Sequence, residues 1–275
     1  MNDQPGETQT AKVVRRLVGD LLLTGQPGEV ANEPIVGGAI DIDEFGRVVS
    51  VGPEPDLGSA PESVERIGGL LMPGLVNAHA HTPMTLLRSV GDGLPLQRWL
   101  HEAIFPREAK ITAEDAHWGM TLGSAEMLLA GVTTSCEMYW FEEAIVEAVR
   151  QTGGRVVVCP AVISQLLPDG DIDRWADKAV GFHRSNHQPS QRTHVGFAPH
   201  SLYNVSPEHC RVIAETAVSV DAIVHIHLEE TTAERDEVAE RFGRSATQVL
   251  ADSGVLEAKV LAAHGVWLSL SLIHI

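Results

Sequence analysis

Only three cysteines occur in 275 residues, Cys136, Cys159 and Cys210. An odd number at wide spacing supports neither a disulfide framework nor a Cys-x-x-Cys metal site, and it fits reduced thiols in a cytoplasmic protein. Basic residues are also scarce: 20 Lys+Arg stand against 37 Asp+Glu, a formal charge of −17. With no basic run and no RNA-reading motif, this balance works against nucleic acid and anionic membrane surfaces as partners. No apolar run approaches the length of a membrane span. The polar start MNDQPGETQTAKVVRR has no apolar segment of the signal-peptide kind. No glycine-rich phosphate loop follows any strand candidate, which argues against a nucleotide-binding doubly wound sheet.

What is present is an ordinary globular composition, 44% hydrophobic and 21% charged. The length suffices for one large domain, or one large and one small. Residues 1–72 read as a small β-rich module: AIDIDEFGRVVSVG alternates around DEFGR, a hairpin pattern with Gly46 at the turn. After Pro73 the rhythm becomes strand, then helix, repeated over residues 73–268. GLVNAHAH is followed by an apolar helix around PLQRWLHEAIF. A longer helix opens at Thr112, with Asp115 at capping-box spacing, and closes at Gly131. VTTSCEMY, RVVVCPAVI, THVGFAPH, AIVHIHLE and KVLAAHGVWL continue the strands, separated by helical sequence. Such alternation predicts parallel strands with right-handed crossovers. The fold class expected is α/β, an incomplete (β/α)8 TIM-type barrel of about six of eight units. The apolar tail SLSLIHI, residues 269–275, runs off the last strand without a helix, and a truncated chain is expected.

The stretch GLVNAHAHTPM places His79 and His81 one residue apart after an apolar run. In a strand, residues i and i+2 share a face, so two imidazoles aimed into one space suit a shared metal ion. The alternative is a polar pair at a strand end, satisfied by water or backbone. The other histidines decide between them. His200 ends the fourth strand, His225 and His227 lie on the fifth, and His264 lies on the sixth. Barrel active sites form at the C-terminal ends of strands, so these residues converge on one mouth. His101, His117, His183, His187, His194 and His209 fall on helices or at element starts and are expected in solvent. Glu230, three residues past His227 in HLEET, stands where its carboxylate reaches a ligand above a metal. A metal that acidifies water and a carboxylate that carries its proton to a leaving group together suit hydrolysis. Glu229 reads instead as a carboxylate at a helix N-terminus, favoured by the dipole.

Taken together, MPGLVNAHAHTPM, APHSLYNVSPE, VHIHLEET and LAAHGVWL resemble the amidohydrolase superfamily. They are most similar to its 5′-methylthioadenosine/S-adenosylhomocysteine deaminases and the related aminohydrolases and chlorohydrolases. The resemblance runs to about Leu268 and implies a metal-dependent barrel with a composite β-domain built from both termini. On this likeness His79, His81 and His227 match metal ligands, Glu230 the catalytic carboxylate, and His264 the residue that orients the attacking water. Glu108, in FPREAKIT, and His200 occupy the substrate-binding places, with Glu108 facing ribose hydroxyls. Binuclear members use a carbamylated lysine on the fourth strand. THVGFAPH contains none, and Lys178 and Lys259 lie outside strands four and five, so one divalent metal is expected, zinc or iron.

The resemblance thus implies a hydrolase that replaces the exocyclic amine of a purine nucleoside with oxygen, in a homo-oligomeric parent. Two alternatives stay open: displacement of chloride or an amine from another nitrogen heterocycle, and a metal-binding protein without activity. The family takes its last metal ligand, an aspartate, from an eighth strand. That strand lies beyond this chain, so residues 1–275 alone are expected to be inactive and prone to aggregate.

Overall fold

The computed structural model describes residues 12–25, 33–167 and 170–269. The expectations for the N-terminal segment and for 270–275 of the tail lie outside the described residues. Two compact units are present, one ending at Gly74 and the other beginning at Leu75.

The first unit is a five-stranded sheet in the order β2 (Ile35–Val36), β1 (Val13–Leu22), β3 (Gly38–Asp43), β4 (Val48–Pro53), with β5 (Ser63–Leu71) parallel to β1. The β3–β4 hairpin turns where the sequence pattern placed it. Gly46 takes φ 77°, and the Asp43 carboxylate accepts from the backbone N–H groups of Phe45 (2.9 Å) and Arg47 (2.8 Å). Gly46 is free to enter that left-handed conformation because it has no Cβ. Inside the sheet, Arg16 donates to both carboxylate oxygens of Asp41, at 2.6 and 2.9 Å, and both residues are buried.

The second unit alternates strand and helix. β6 (Leu75–Ala80) leads through a 3-10 turn (Thr82–Leu87) to α1 (Leu96–Arg98), a π-helical turn (Trp99–Ile104) and α2 (Phe105–Glu108). The apolar helix expected here is therefore interrupted by a wider turn. α3 (Ala113–Leu129) starts in the capping box of Thr112 and Asp115 and stops just short of Gly131, whose φ is 81°. Then come β7 (Val132–Tyr139), α4 (Glu142–Thr152), β8 (Arg155–Val162), α5 (Ile172–Asn186), β9 (Thr193–Val195), β10 (Ala198–Pro199), α6 (Pro207–Ser219), β11 (Ile223–Leu228), α7 (Thr232–Phe242), α8 (Ala246–Asp252) and β12 (Lys259–His264).

All these strands run parallel, and neighbours in space are neighbours in sequence. That order belongs to a barrel wall and differs from a doubly wound sheet. The fourth strand is broken into β9 and β10, a departure from the single strand expected at THVGFAPH. At the break, a Cβ on Gly196 would lie 2.6 Å from the Ile223 side chain and 2.7 Å from Cys159 Sγ. The bridge from Phe197 to Val224 carries the wall on to β11. The ladder does not close among the described residues, but it curls: the His79 ring on β6 reaches the His225 ring on β11 at a centroid distance of 4.9 Å.

Behind the first strand, α3 presses its glycines onto the turn that follows His81. A Cβ at Gly119 would fall 2.2 Å from the Pro83 carbonyl oxygen, and one at Gly123 would fall 2.3 Å from Thr82 Cγ2.

Candidate active site

The C-terminal strand ends meet around a cavity of about 340 Å³. Its floor carries His79, His81, His200 and His227, and its walls include Trp99, Phe105, Tyr139, Trp140 and Tyr203. His79 sits on β6, and His81 lies just past that strand's end.

His79, His81 and His227 converge through ring nitrogens. Nε2 of His227 is 3.2 Å from Nε2 of His79 and 3.3 Å from Nε2 of His81. The far nitrogens show which atoms carry protons. Nδ1 of His227 donates to the His200 carbonyl at 2.9 Å, and Nδ1 of His81 donates to the Met138 carbonyl at 2.5 Å. A carbonyl only accepts, so in neutral rings both Nε2 atoms present lone pairs. Burial, reinforced by the neighbouring imidazoles, pushes His79 down to about 3 and His227 lower still, and burial lowers His81 too. The rings are therefore held neutral at ordinary pH. The His81 and His227 lone pairs face each other at 3.3 Å, with His79 Nε2 3.2 Å from His227 Nε2, and a cation among the three removes that repulsion. Neutral imidazole is also the form that binds zinc.

His200 is wired differently. Asn204 Oδ1 accepts from Ser201 Oγ at 2.9 Å, which leaves its Nδ2 to donate to His200 Nδ1 at 3.0 Å. His200 Nε2 then carries a proton, so this ring offers a donor to the cavity rather than a lone pair. Burial, followed by the closeness of the His81 ring, lowers this ring to about 4.

Glu230 and His264 stand at the rim, with Glu230 Oε2 3.7 Å from His264 Nε2. The His264 ring stacks on that of His227 at 5.3 Å with a 19° interplanar angle. Glu108 reaches the cavity from the end of α2, half-buried, and burial raises its carboxyl above the usual range. The nearby Tyr139 hydroxyl is buried beside Glu108, and burial, followed by the charge and hydrogen bonding of Glu108, raises its pKa. No lysine lines the cavity; Lys259 pairs with Asp221 at 2.6 Å instead.

Two sequence expectations need correction. Of the histidines placed in solvent, only His101 is exposed; His183 stacks on His187 at 4.5 Å, and His209 hydrogen-bonds Ser164. Glu229 is not the carboxylate at the α7 N-terminus, because its side chain is buried. That place is taken by Glu234, which accepts from the Glu229 and Glu230 backbone N–H groups at 3.3 and 2.9 Å. The structure also adds a residue that sequence reasoning passed over. Buried Glu137 accepts from Thr82 N (2.8 Å) and Thr82 Oγ1 (2.7 Å), fixing the turn behind His81. His225, two residues before His227 and on the same face, contacts His79 at 2.9 Å. The His-Ile-His spacing shows the shared face, but no local signal names the partner strand.

Fold and site together define a barrel-wall protein with a histidine cluster at the C-terminal strand ends. Residues 70–275 match the sequence model of the amidohydrolase family, and the chain belongs to that family. It is 35% identical over 248 residues to a 5-methylthioadenosine/S-adenosylhomocysteine deaminase of Symbiobacterium thermophilum, covering 89% of this chain and 55% of that one. The chain spans about half the length of the curated relatives it matches. Among solved structures, a zinc-bound adenosine deaminase from Xanthomonas campestris superposes with a TM-score of 0.84 at 29% identity, over 95% of this chain and 60% of that one. A zinc-complexed atrazine chlorohydrolase from Arthrobacter aurescens shares the fold, with a TM-score of 0.81 at 19% identity over 93% and 62% of the two chains. Among the described residues, no helix is long and apolar enough to cross a membrane.

Proposed function

We propose that this chain carries the active site of a metal-dependent deaminase acting on an adenosine-type nucleoside, such as 5′-methylthioadenosine, S-adenosylhomocysteine or adenosine. The observation that carries this reading is the convergence of the His79, His81 and His227 Nε2 atoms beneath Glu230 and His264. The similarity to the named deaminases supports it.

His79, His81 and His227 would hold one divalent ion, zinc first and iron second. When bound, the ion supplies Lewis acidity that lowers the pKa of water. Glu230 takes the proton from the attacking water and delivers it to the departing exocyclic amine. Oxygen thereby replaces nitrogen on the ring carbon, and ammonia leaves. His264, beside Glu230 and stacked on His227, orients that water. His200 donates its Nε2 proton to the substrate. Glu108 accepts from sugar hydroxyls, and the aromatic walls exclude bulk water from the base.

The test is elemental analysis and ammonia release on the full-length protein across nucleosides, triazines and pterins. One metal per chain and release from adenosine-type nucleosides are expected. Chloride release from triazines, or turnover of pterins alone, would replace the substrate assignment.

A further inference from the structure

The contact between His79 and His225 does not end at His225. His79 Nδ1 lies 2.9 Å from His225 Nε2, and the other nitrogen of His225, Nδ1, lies 3.3 Å from Cys136 Sγ. Cys136 and His225 are buried, at 3% and 0% exposure, so no solvent completes or replaces these contacts. Cys159, also buried, lies beside them. Its Sγ, Cys136 Sγ and a His225 ring nitrogen all fall within 4.8 Å of one another.

Proton placement decides what this chain of contacts does. To ligate an ion through Nε2, neutral His79 must carry its proton on Nδ1, where His225 Nε2 is the group within reach among the described residues. That nitrogen must then accept, so the His225 proton sits on Nδ1 and points at Cys136 Sγ, a weak acceptor. Each link fixes the next. The same logic excludes a second ion among Cys136, Cys159 and His225. An ion on His225 Nδ1 would move the ring proton to Nε2, drive the His79 proton to its own Nε2, and close that nitrogen to the first ion. The two histidine-containing clusters are therefore alternatives that share one pair of ring protons.

We infer that His225 and Cys136 are positioning residues that lock the tautomer and ring orientation of His79 for metal binding, through a hydrogen-bond chain running His79 to His225 to Cys136. This inference rests on the metal-site reading proposed above. Outer partners of metal-bound histidines commonly fix tautomer and ligand basicity. Here the role passes through a second imidazole to a sulfur, on strands β11 and β7.

The experiment measures zinc affinity of the full-length protein by chelator competition. His225→Leu should weaken zinc roughly 10- to 100-fold. His225→Gln, whose amide both accepts and donates, should recover most of that loss. Cys136→Ala should shift affinity in the same direction, and Cys136→Ser, which keeps an acceptor, by less. Imidazole 15N shifts of the zinc-loaded wild-type protein should show His225 protonated on Nδ1 and bare on Nε2. This second measurement decides the matter if His225→Leu does not fold. A wild-type protein that binds no zinc would remove the metal-site reading and the inference with it. A wild-type protein that holds zinc would overturn the inference alone if His225→Leu binds as tightly, if the His225 proton is on Nε2, or if two ions bind per chain.

Discussion

The Glu230 carboxylate and the His264 imidazole face each other at 3.7 Å across the ends of adjacent parallel strands. Both chains turn sharply there. His264 and Glu229 adopt positive φ, 74° and 48°, and the Leu228 and Glu229 carbonyls accept from Gly265 and Trp267. A left-handed backbone is uncommon for such residues and clusters at working sites. Glu230→Gln keeps the shape of the side chain and removes the base. Turnover of the full-length protein should fall roughly 100-fold or more while metal content stays stoichiometric. Near-normal rates would remove Glu230 from the proton-transfer step.

His227 is the hub of the three-nitrogen cluster, since both measured Nε2 separations include it. In His227→Ala, elemental analysis should find the metal content well below one per chain after dialysis against a chelator. Stoichiometric, tightly held metal in that variant would mean the ion sits elsewhere.

Acid should weaken the metal-free protein over a defined window. His200 is lowered to about 4 chiefly by burial, while in the unfolded chain it titrates near its ordinary value of 6.5. Between those values the unfolded state binds more protons than the folded one, so stability falls as pH drops from about 6.5 toward about 4. Above the window this ring contributes no pH dependence. His200→Gln should flatten the dependence of the unfolding midpoint between pH 6.5 and 4; an unchanged slope would show that His200 does not contribute to it.

In the β-rich unit, Arg16 also donates to the Leu57 carbonyl at 3.0 Å, so its guanidinium is committed on several sides. Asp41→Ala strands a buried charge and should lower stability by about 3–5 kcal/mol in denaturant titrations. Replacing both members of the pair by apolar residues of similar volume should recover most of that loss.

Element types were legible in the sequence because they depend on local signals. The alternation in AIDIDEFGRVVSVG, the apolar run RVVVCPAVI, the Thr112–Asp115 cap and the DEFGR turn each act within a few residues. Strand-end histidines were legible for the same reason, since period two puts His79 with His81 and His225 with His227. What remained hidden was contact across the interior. That Glu137 holds Thr82, or that His225 meets His79, 146 positions away, depends on how far the wall curls, and no short stretch encodes that. The break between β9 and β10 was hidden likewise, because it answers to Ile223 and Cys159 crowding Gly196.

The close seat of the Thr82–Leu87 turn on α3 sets where the lining of the cavity tolerates change. Any side chain at position 119 or 123 drives into the turn that follows His81, so novelty on that side arrives together with a shift of the backbone beside that histidine. The opposite wall carries no such penalty. Trp99 and Phe105 border the cavity from a helical segment that contributes no strand to the sheet and no ring to the histidine cluster. Substitutions in that segment reshape the cavity without disturbing the histidine cluster, and it is there that variation in the lining has freedom to act.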